Sequence, residues 1–201
     1  METDVLIPLK RLDAAKTRLG PALTNYERRR LMAGMLAGVA RVAVRACAGR
    51  VALASSDPLA PDLARRLGVE CVSDGGLPWN DGLVHARSLL ARPAAAVLYL
   101  AGDLPLIEAA DVAALVEAGA ERTAVIGRAH DGGTNALWVC PAGAFAPAFG
   151  AAGSAAVHTR RARAHGLDVV MLDRPGLARD VDTPADLAAA RRLAAAGACV
   201  T

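Results

Sequence analysis

Short apolar runs alternate along this chain with longer segments whose apolar residues recur every three or four positions. The runs Val5–Leu9, Val51–Ala54, Val69–Val72, Val97–Ala101, Thr123–Gly127, Ala136–Cys140 and Val169–Leu172 have the length of buried strands. The periodic segments Asn25–Ala46, Pro61–Gly68, Asp81–Leu90, Glu108–Ala118, Ser154–His165 and Pro184–Ala196 predict helices. Strand and helix alternate through the first two thirds, which implies right-handed crossovers and a mostly parallel sheet with helices on both faces. After Gly127 two strands follow one another with only His130–Thr134 between them, so a small antiparallel or mixed element is expected there. No internal repeat or long linker divides the 201 residues, and the expectation is one α/β domain.

Composition sharpens this. Hydrophobic residues make up 54% of the chain but aromatic ones only 3%, so the core must be built of small side chains packed between layers. A net charge of +3, with basic and acidic residues interleaved, leaves no stripe for nucleic acid and favours a small-molecule partner. Cys47, Cys71, Cys140 and Cys199 lie far apart without the CxxC spacing of a structural zinc site, and read as reduced thiols. No basic segment followed by an apolar signal stretch precedes the first strand. No apolar run approaches the ~18 residues of a membrane span either, so a cytoplasmic protein is expected.

The chemistry begins with acidic positions. Asp103 follows the apolar run Val97–Ala101 in Gly102-Asp103-Leu104-Pro105, at the carboxyl end of a strand, where open α/β sheets bind ligands. Gly102 would let a ligand approach the backbone, although an isolated Gly-Asp-x-Pro also suits a solvated turn. Asp180-Val181-Asp182 is the second acidic element. In extended chain residues two apart point the same way, so Asp180 and Asp182 can present two carboxylates to one hard cation such as Mg²⁺. Thr183 and Pro184 form an ordinary helix start, which does not account for Asp180.

Both lysines of the chain, Lys10 and Lys16, fall in the segment after the first strand, in a protein whose 23 Lys and Arg are otherwise arginine. Retention of lysine there suggests compact ammonium charges on a phosphate, with a basic surface segment as the alternative. Asp131-Gly132-Gly133-Thr134-Asn135 lies between two strands, and its glycines can turn their amides toward an anion or simply form a hairpin turn. Gly150-Ala151-Ala152-Gly153-Ser154 leads into a helix with Ser154 expected as N-cap, a second anion site. His158, one turn on, reads as a packing residue or one standing behind the site, without an acid–base role.

With these residues in hand, the chain resembles the 2-phospho-L-lactate guanylyltransferases of coenzyme F-420 biosynthesis, a family that includes phosphoenolpyruvate and 3-phosphoglycerate guanylyltransferases. The likeness runs from Ile7 to Leu187. It rests on Pro8-x-Lys10 with Ala15-Lys16-Thr17-Arg18-Leu19, on Gly102-Asp103-Leu104-Pro105, on Asp131–Leu137, on Phe149-Gly150 with Ser154 and His158, and on Pro175-Gly176-Leu177 through Asp180-Val181-Asp182-Thr183-Pro184-x-Asp186-Leu187. The resemblance implies a single-domain nucleotidyltransferase fold of the GT-A kind, GTP as nucleotide donor, Mg²⁺ as cofactor and a phosphorylated three-carbon acid as acceptor. It implies metal on Asp103, Asp180 and Asp182, and acceptor on Thr134, Gly150 and Ser154. Lys10, Lys16 and Arg18 then carry the catalytic positive charge, and Asn80 is the candidate contact to guanine. The expected partners are GTP and the acid, with neither nucleic acid nor membrane, and with room for a homodimer. Transferases acting on a molybdenum cofactor or a sugar phosphate are one alternative, but they grip the triphosphate with a glycine-rich loop, and no glycine lies between Ile7 and Leu19. A non-catalytic nucleotide-binding regulator, the other alternative, would not need both Asp180 and Asp182.

Overall fold

All seven strands join one sheet, and the two ways they join it place the site. The computed structural model describes residues 1–47, 49–90 and 94–198, so Cys199 lies outside the described residues. The strands are β1 (Thr3–Pro8), β2 (Val51–Ala54), β3 (Glu70–Val72), β4 (Ala96–Leu100), β5 (Thr123–Arg128), β6 (Thr134–Cys140) and β7 (Asp168–Leu172), in the order β3-β2-β1-β4-β6-β5-β7. Parallel pairing joins β1 to β2 and β4, β2 to β3, and β5 to β7, whereas β6 runs antiparallel to both β4 and β5. The expected mixed element is therefore this one strand, inserted in the sheet.

Around the sheet pack α1 (Asn25–Ala46), α2 (Ala60–Leu67), α3 (Trp79–Ser88), α4 (Ala109–Glu117), α5 (Ser154–Ala164) and α6 (Pro184–Ala198). Alternate strand residues serve opposite faces, as the two-residue strand period demands. Val5, Ile7, Leu53, Leu98 and Trp138 pack with Leu36 of α1, Ala64 of α2, Val112 of α4 and Leu187 of α6. Leu6, Ala52, Tyr99 and Leu137 pack instead with Leu83 of α3 and Ala162 of α5. Cover on both faces explains why the strand runs read as continuously apolar. Among the described residues no helix is long and apolar enough to cross a membrane. Cys47, Cys71 and Cys140 are free thiols, and burial pushes Cys47 up to about 11.

Two consequences of the strand order matter for function. The chain leaves β1 toward β2 and β3 on one side and returns to β4 on the other, so strand order reverses at β1, and a crevice opens outside the carboxyl ends of β1 and β4. Because β6 is antiparallel, its first residues, Thr134 and Asn135, arrive at that same edge; the Ala101 amide, just past β4, donates to the Asn135 carbonyl at 2.8 Å.

Candidate active site

The loop after β1 carries the cations and is pinned from β2. Ser55 Oγ donates to the Leu9 carbonyl at 2.6 Å, and the buried Asp57 carboxylate accepts the Leu12 amide at 2.7 Å. Two short 3-10 turns, Leu12–Ala14 and Thr17–Leu19, follow. Between them Lys16 adopts a left-handed backbone conformation, φ 54° and ψ 42°, rare for a side chain without the local hydrogen bonding of Asn or Asp. Such strain persists where surrounding contacts over-determine it. Here the contacts are ionic: Lys16 Nζ bonds Asp103 Oδ2 and, at 2.7 Å, Asp182 Oδ1.

The Lys16 side chain is 7% exposed, that of Asp103 18% and that of Asp182 46%. Burial opposes the ammonium, but the two carboxylates outweigh it and hold its pKa above the ordinary lysine value. Arg18, largely exposed, brings Nη1 to 3.8 Å from Asp182 Oδ2. Lys10 lies 4.3 Å over the Trp79 ring.

Asp180 completes the acidic group. One oxygen from each of Asp103, Asp180 and Asp182 lies within 4.8 Å of the others. Val181 between them is buried in the core, so the alternation expected for Asp180 and Asp182 is realised. Burial first, then the charge of Asp103 and more weakly that of Asp182, push the Asp180 pKa upward. The surrounding chain is built to hold these groups. Asn135 Nδ2 donates to the Leu177 carbonyl at 2.9 Å and approaches Asp180 Oδ1 at 3.4 Å. Asp186 accepts the Thr183 amide at 2.7 Å while Thr183 Oγ1 accepts the Asp186 amide, a capping box that starts α6 immediately after Asp182. Upstream, a Cβ on Gly176 would sit 1.9 Å from Asp111 Oδ2, so only glycine lets this loop lie against α4. Asp111 also receives Arg174 Nε at 2.9 Å.

On the other side of the crevice, Ser154 Oγ donates to Thr134 Oγ1 at 3.2 Å, and Thr134 Oγ1 lies 2.9 Å from His158 Nδ1. His158 is fully buried, its Nε2 accepting the Ala148 amide at 2.8 Å. Burial, and secondarily the Arg161 charge, push its pKa down to about 4. The unfolded chain therefore binds a proton below the ordinary histidine value that the folded chain does not. The resulting stability is present above about pH 6.5 and is lost as pH falls toward 4, by up to about 3 kcal/mol. A His158→Phe protein is expected to lose less melting temperature than the wild type between pH 7 and pH 4.5; equal losses would show that another group sets the acid limb.

A cavity of about 790 Å³ gathers Lys10, Lys16, Arg18, Asp103, Thr134, Gly150, Ser154, Asp180 and Asp182 along its wall. Asn80 is the exception. Its carboxamide is engaged at both ends by one residue, donating to the Phe149 carbonyl at 3.1 Å and accepting the Phe149 amide at 2.8 Å, and it lines neither this cavity nor its neighbour. Asn80 anchors the Phe149–Ser154 loop to α3 rather than offering a free edge to a base.

Two local expectations also change. The glycine pair is no anion nest, because the Gly132 amide donates to Ala129 and the Gly133 amide to Asp131 Oδ1 within the turn. Ser154 is the first residue of α5 rather than its cap, and Gly153, at φ 61°, takes the cap position. Gly102 lines the cavity and also spares a clash in the core, since its Cβ would come within 2.9 Å of Leu36. The residue that sequence reasoning missed is Trp79, which stacks on Phe149 with centroids 6.4 Å apart and walls the cavity. Its rarity, as one of only two tryptophans in the chain, was the available signal.

With this geometry in place, comparison with known proteins is specific. The family model described as guanylyl transferase CofC like matches residues 3–190. The phosphoenolpyruvate guanylyltransferase of Rubrobacter xylanophilus is 40% identical over 200 residues, 98% of this chain and 96% of that protein. The 2-phospho-L-lactate guanylyltransferase of Methanothermobacter thermautotrophicus is 35% identical over 188 residues, 93% of this chain and 83% of that one. Among solved structures, a proposed nucleotide-diphospho-sugar transferase from Desulfovibrio desulfuricans superposes with a TM-score of 0.75 at 22% identity, covering 93% of this chain and 85% of the other. A nucleotidyl transferase from Methanothermobacter gives 0.61 at 16% identity, covering 95% and 96%. The extent of the family match, and the identity to relatives along nearly their whole length, establish that this chain belongs to the CofC-like guanylyl transferase family.

Proposed function

We propose that the protein transfers GMP from GTP to a phosphorylated three-carbon acid, with release of pyrophosphate, as a step of coenzyme F-420 biosynthesis. Phosphoenolpyruvate stands first among the acceptors because that substrate is in the name of the relative at 40% identity, with 2-phospho-L-lactate and 3-phosphoglycerate beside it. The observation that carries this reading is one cavity joining three clustered carboxylates, three cationic side chains and a buried hydroxyl pair.

The donor set suits Mg²⁺: hard carboxylate oxygens, close enough to share one ion, around a point where Lys16 already places a positive charge. Bound there on Asp103, Asp180 and Asp182, the ion would supply charge neutralisation between two phosphate groups. The chain's own residues do the rest. Lys10, Lys16 and Arg18 take the triphosphate charge, and the Thr134–Ser154 pair with the Gly150 loop holds the carboxylate of the acid. An oxygen of the acceptor phosphate attacks the α-phosphorus of GTP in line, the new P–O bond forms as the bond to the β-phosphate oxygen breaks, and pyrophosphate leaves. A phosphate monoester already carries the attacking charge, so no side chain has to remove a proton, and rate comes from positioning and electrostatics.

A second cavity of about 460 Å³ adjoins the first across Lys10 and Trp79 and is lined by Ser56, Asp74 and Gly76 near the ends of β2 and β3. It is the place for guanine, whose N1–H and amino edge needs an acceptor such as Asp74. The test of the whole reading is product mass after incubation with GTP, Mg²⁺ and each acid separately. A guanosine diphospho-linked acid with equimolar pyrophosphate is expected; efficient use of a sugar 1-phosphate with none of the acids would replace the acceptor class. Discrimination among the three acids should rest on packing worth ~1–3 kcal/mol.

A further inference from the structure

We propose that His158 is a positioning residue for the acceptor: its tautomer, fixed by the Ala148 amide, keeps the Thr134–Ser154 hydroxyl pair a net hydrogen-bond donor, so that the cavity accepts an anion there and rejects a group that must itself donate. The inference rests on the reading that this pair faces the acid's carboxylate.

The argument is a count of protons. A backbone amide can only donate, so the nitrogen that accepts from Ala148, His158 Nε2 at 2.8 Å, carries no hydrogen. A doubly protonated ring would turn an N–H against that amide. The neutral ring therefore holds its proton on Nδ1, which donates to Thr134 Oγ1 at 2.9 Å. Thr134 and Ser154 own two hydroxyl hydrogens and use one for the 3.2 Å bond between them. The second has no acceptor among the described residues, and both residues line the cavity. It must point outward, whichever of the two hydroxyls ends up holding it. The opposite tautomer would reverse this. A bare Nδ1 would draw the Thr134 hydrogen inward, Ser154 would donate to Thr134, and no hydroxyl hydrogen would remain for a ligand. Ring packing alone, against Phe149 at 5.2 Å and Phe145 at 6.5 Å, would be served by phenylalanine and explains neither nitrogen.

Two measurements test this. Nitrogen-15 NMR of histidine-labelled wild-type protein, with the His158 signals assigned by their loss in His158→Asn, should show a protonated Nδ1 and a bare Nε2; a proton on Nε2 overturns the proposal without any functional assay. Steady-state kinetics then read the consequence. Thr134→Val should raise the KM for phosphoenolpyruvate by roughly tenfold to a hundredfold, the loss expected for one hydrogen bond to a charged group, with the KM for GTP within about twofold. His158→Phe removes the bond that aims the Thr134 hydroxyl but supplies no acceptor to draw its hydrogen inward, so it should raise the acceptor KM by a smaller factor, about threefold to tenfold. In the Thr134→Val background, His158→Phe should add less than about threefold. His158→Asn, which keeps an N–H near the Nδ1 position, should recover most of the acceptor KM. Independent, multiplying effects, or a parallel rise in the KM for GTP, would return His158 to a packing role and overturn the proposal alone. Failure of the wild-type enzyme to use any of the three acids would overturn the acceptor assignment and this inference with it.

Discussion

Asp103→Asn and Asp182→Asn are each expected to lower turnover by about 10²–10³-fold at saturating Mg²⁺, with the melting temperature shifted by only a few degrees. The large kinetic effect follows from where charge is needed. In the proposed reaction two phosphate groups approach each other in the cavity, and each carboxylate lost would weaken the hold on the cation proposed to screen them. The small stability effect follows from the cluster itself. Three carboxylate oxygens lie within 4.8 Å of one another, and their mutual repulsion, which adds to burial in pushing the Asp180 pKa upward, is a cost to the folded state. Replacing one carboxylate by an amide relieves part of that cost while removing one of the two ionic partners of Lys16. The opposing changes leave little net. Near wild-type turnover in either variant would remove that residue from the proposed metal site.

Lys16→Met carries the second large effect, and it should show in stability as well as in catalysis. The ammonium is almost fully enclosed and holds Asp103 and Asp182 together. Without it the metal-free protein keeps three like charges opposed only by the largely exposed Arg18, 3.8 Å from Asp182, a loss of about 1–3 kcal/mol after allowance for the half-exposed Asp182, at the lower end for a broken buried pair. Mg²⁺ should then raise the melting temperature of the variant more than that of the wild type, because the ion restores the charge the lysine supplied. GTP binding should weaken tenfold or more, and Lys16→Arg should not rescue it, since a forked guanidinium does not fit where a compact ammonium bridges two carboxylates from a left-handed backbone. Thermal melts with and without Mg²⁺, paired with calorimetric GTP titrations, separate the two parts. An equal Mg²⁺ effect on variant and wild type would show that lysine and metal do not share one place.

The strands and helices were legible in the sequence because their determinants are local. A run such as Val97–Ala101 is buried on both faces wherever its neighbours lie, and the three- and four-residue spacing in Asn25–Ala46 specifies one apolar helix face. Asp103 and the Asp180–Asp182 pair were legible for the same reason, since their positions relative to a strand end and a helix start follow from a few adjoining residues. Tertiary structure decided the rest, wherever one group had to choose among distant partners. Pairing of β6 between β4 and β5, not its hydrophobic pattern, delivered Thr134 and Asn135 to the crevice. Asn80 offered a plausible base contact until its amide met Phe149, 69 positions away. The paired glycines suited a nest until their own turn took both amides. Thr134 and Ser154, expected in two separate anion sites, are brought together by a hydroxyl contact across 20 positions. A local pattern states which groups are available to bond, but a hydrogen bond is made over about 3 Å and in one direction, so only the packed chain determines which of them remain free for a ligand.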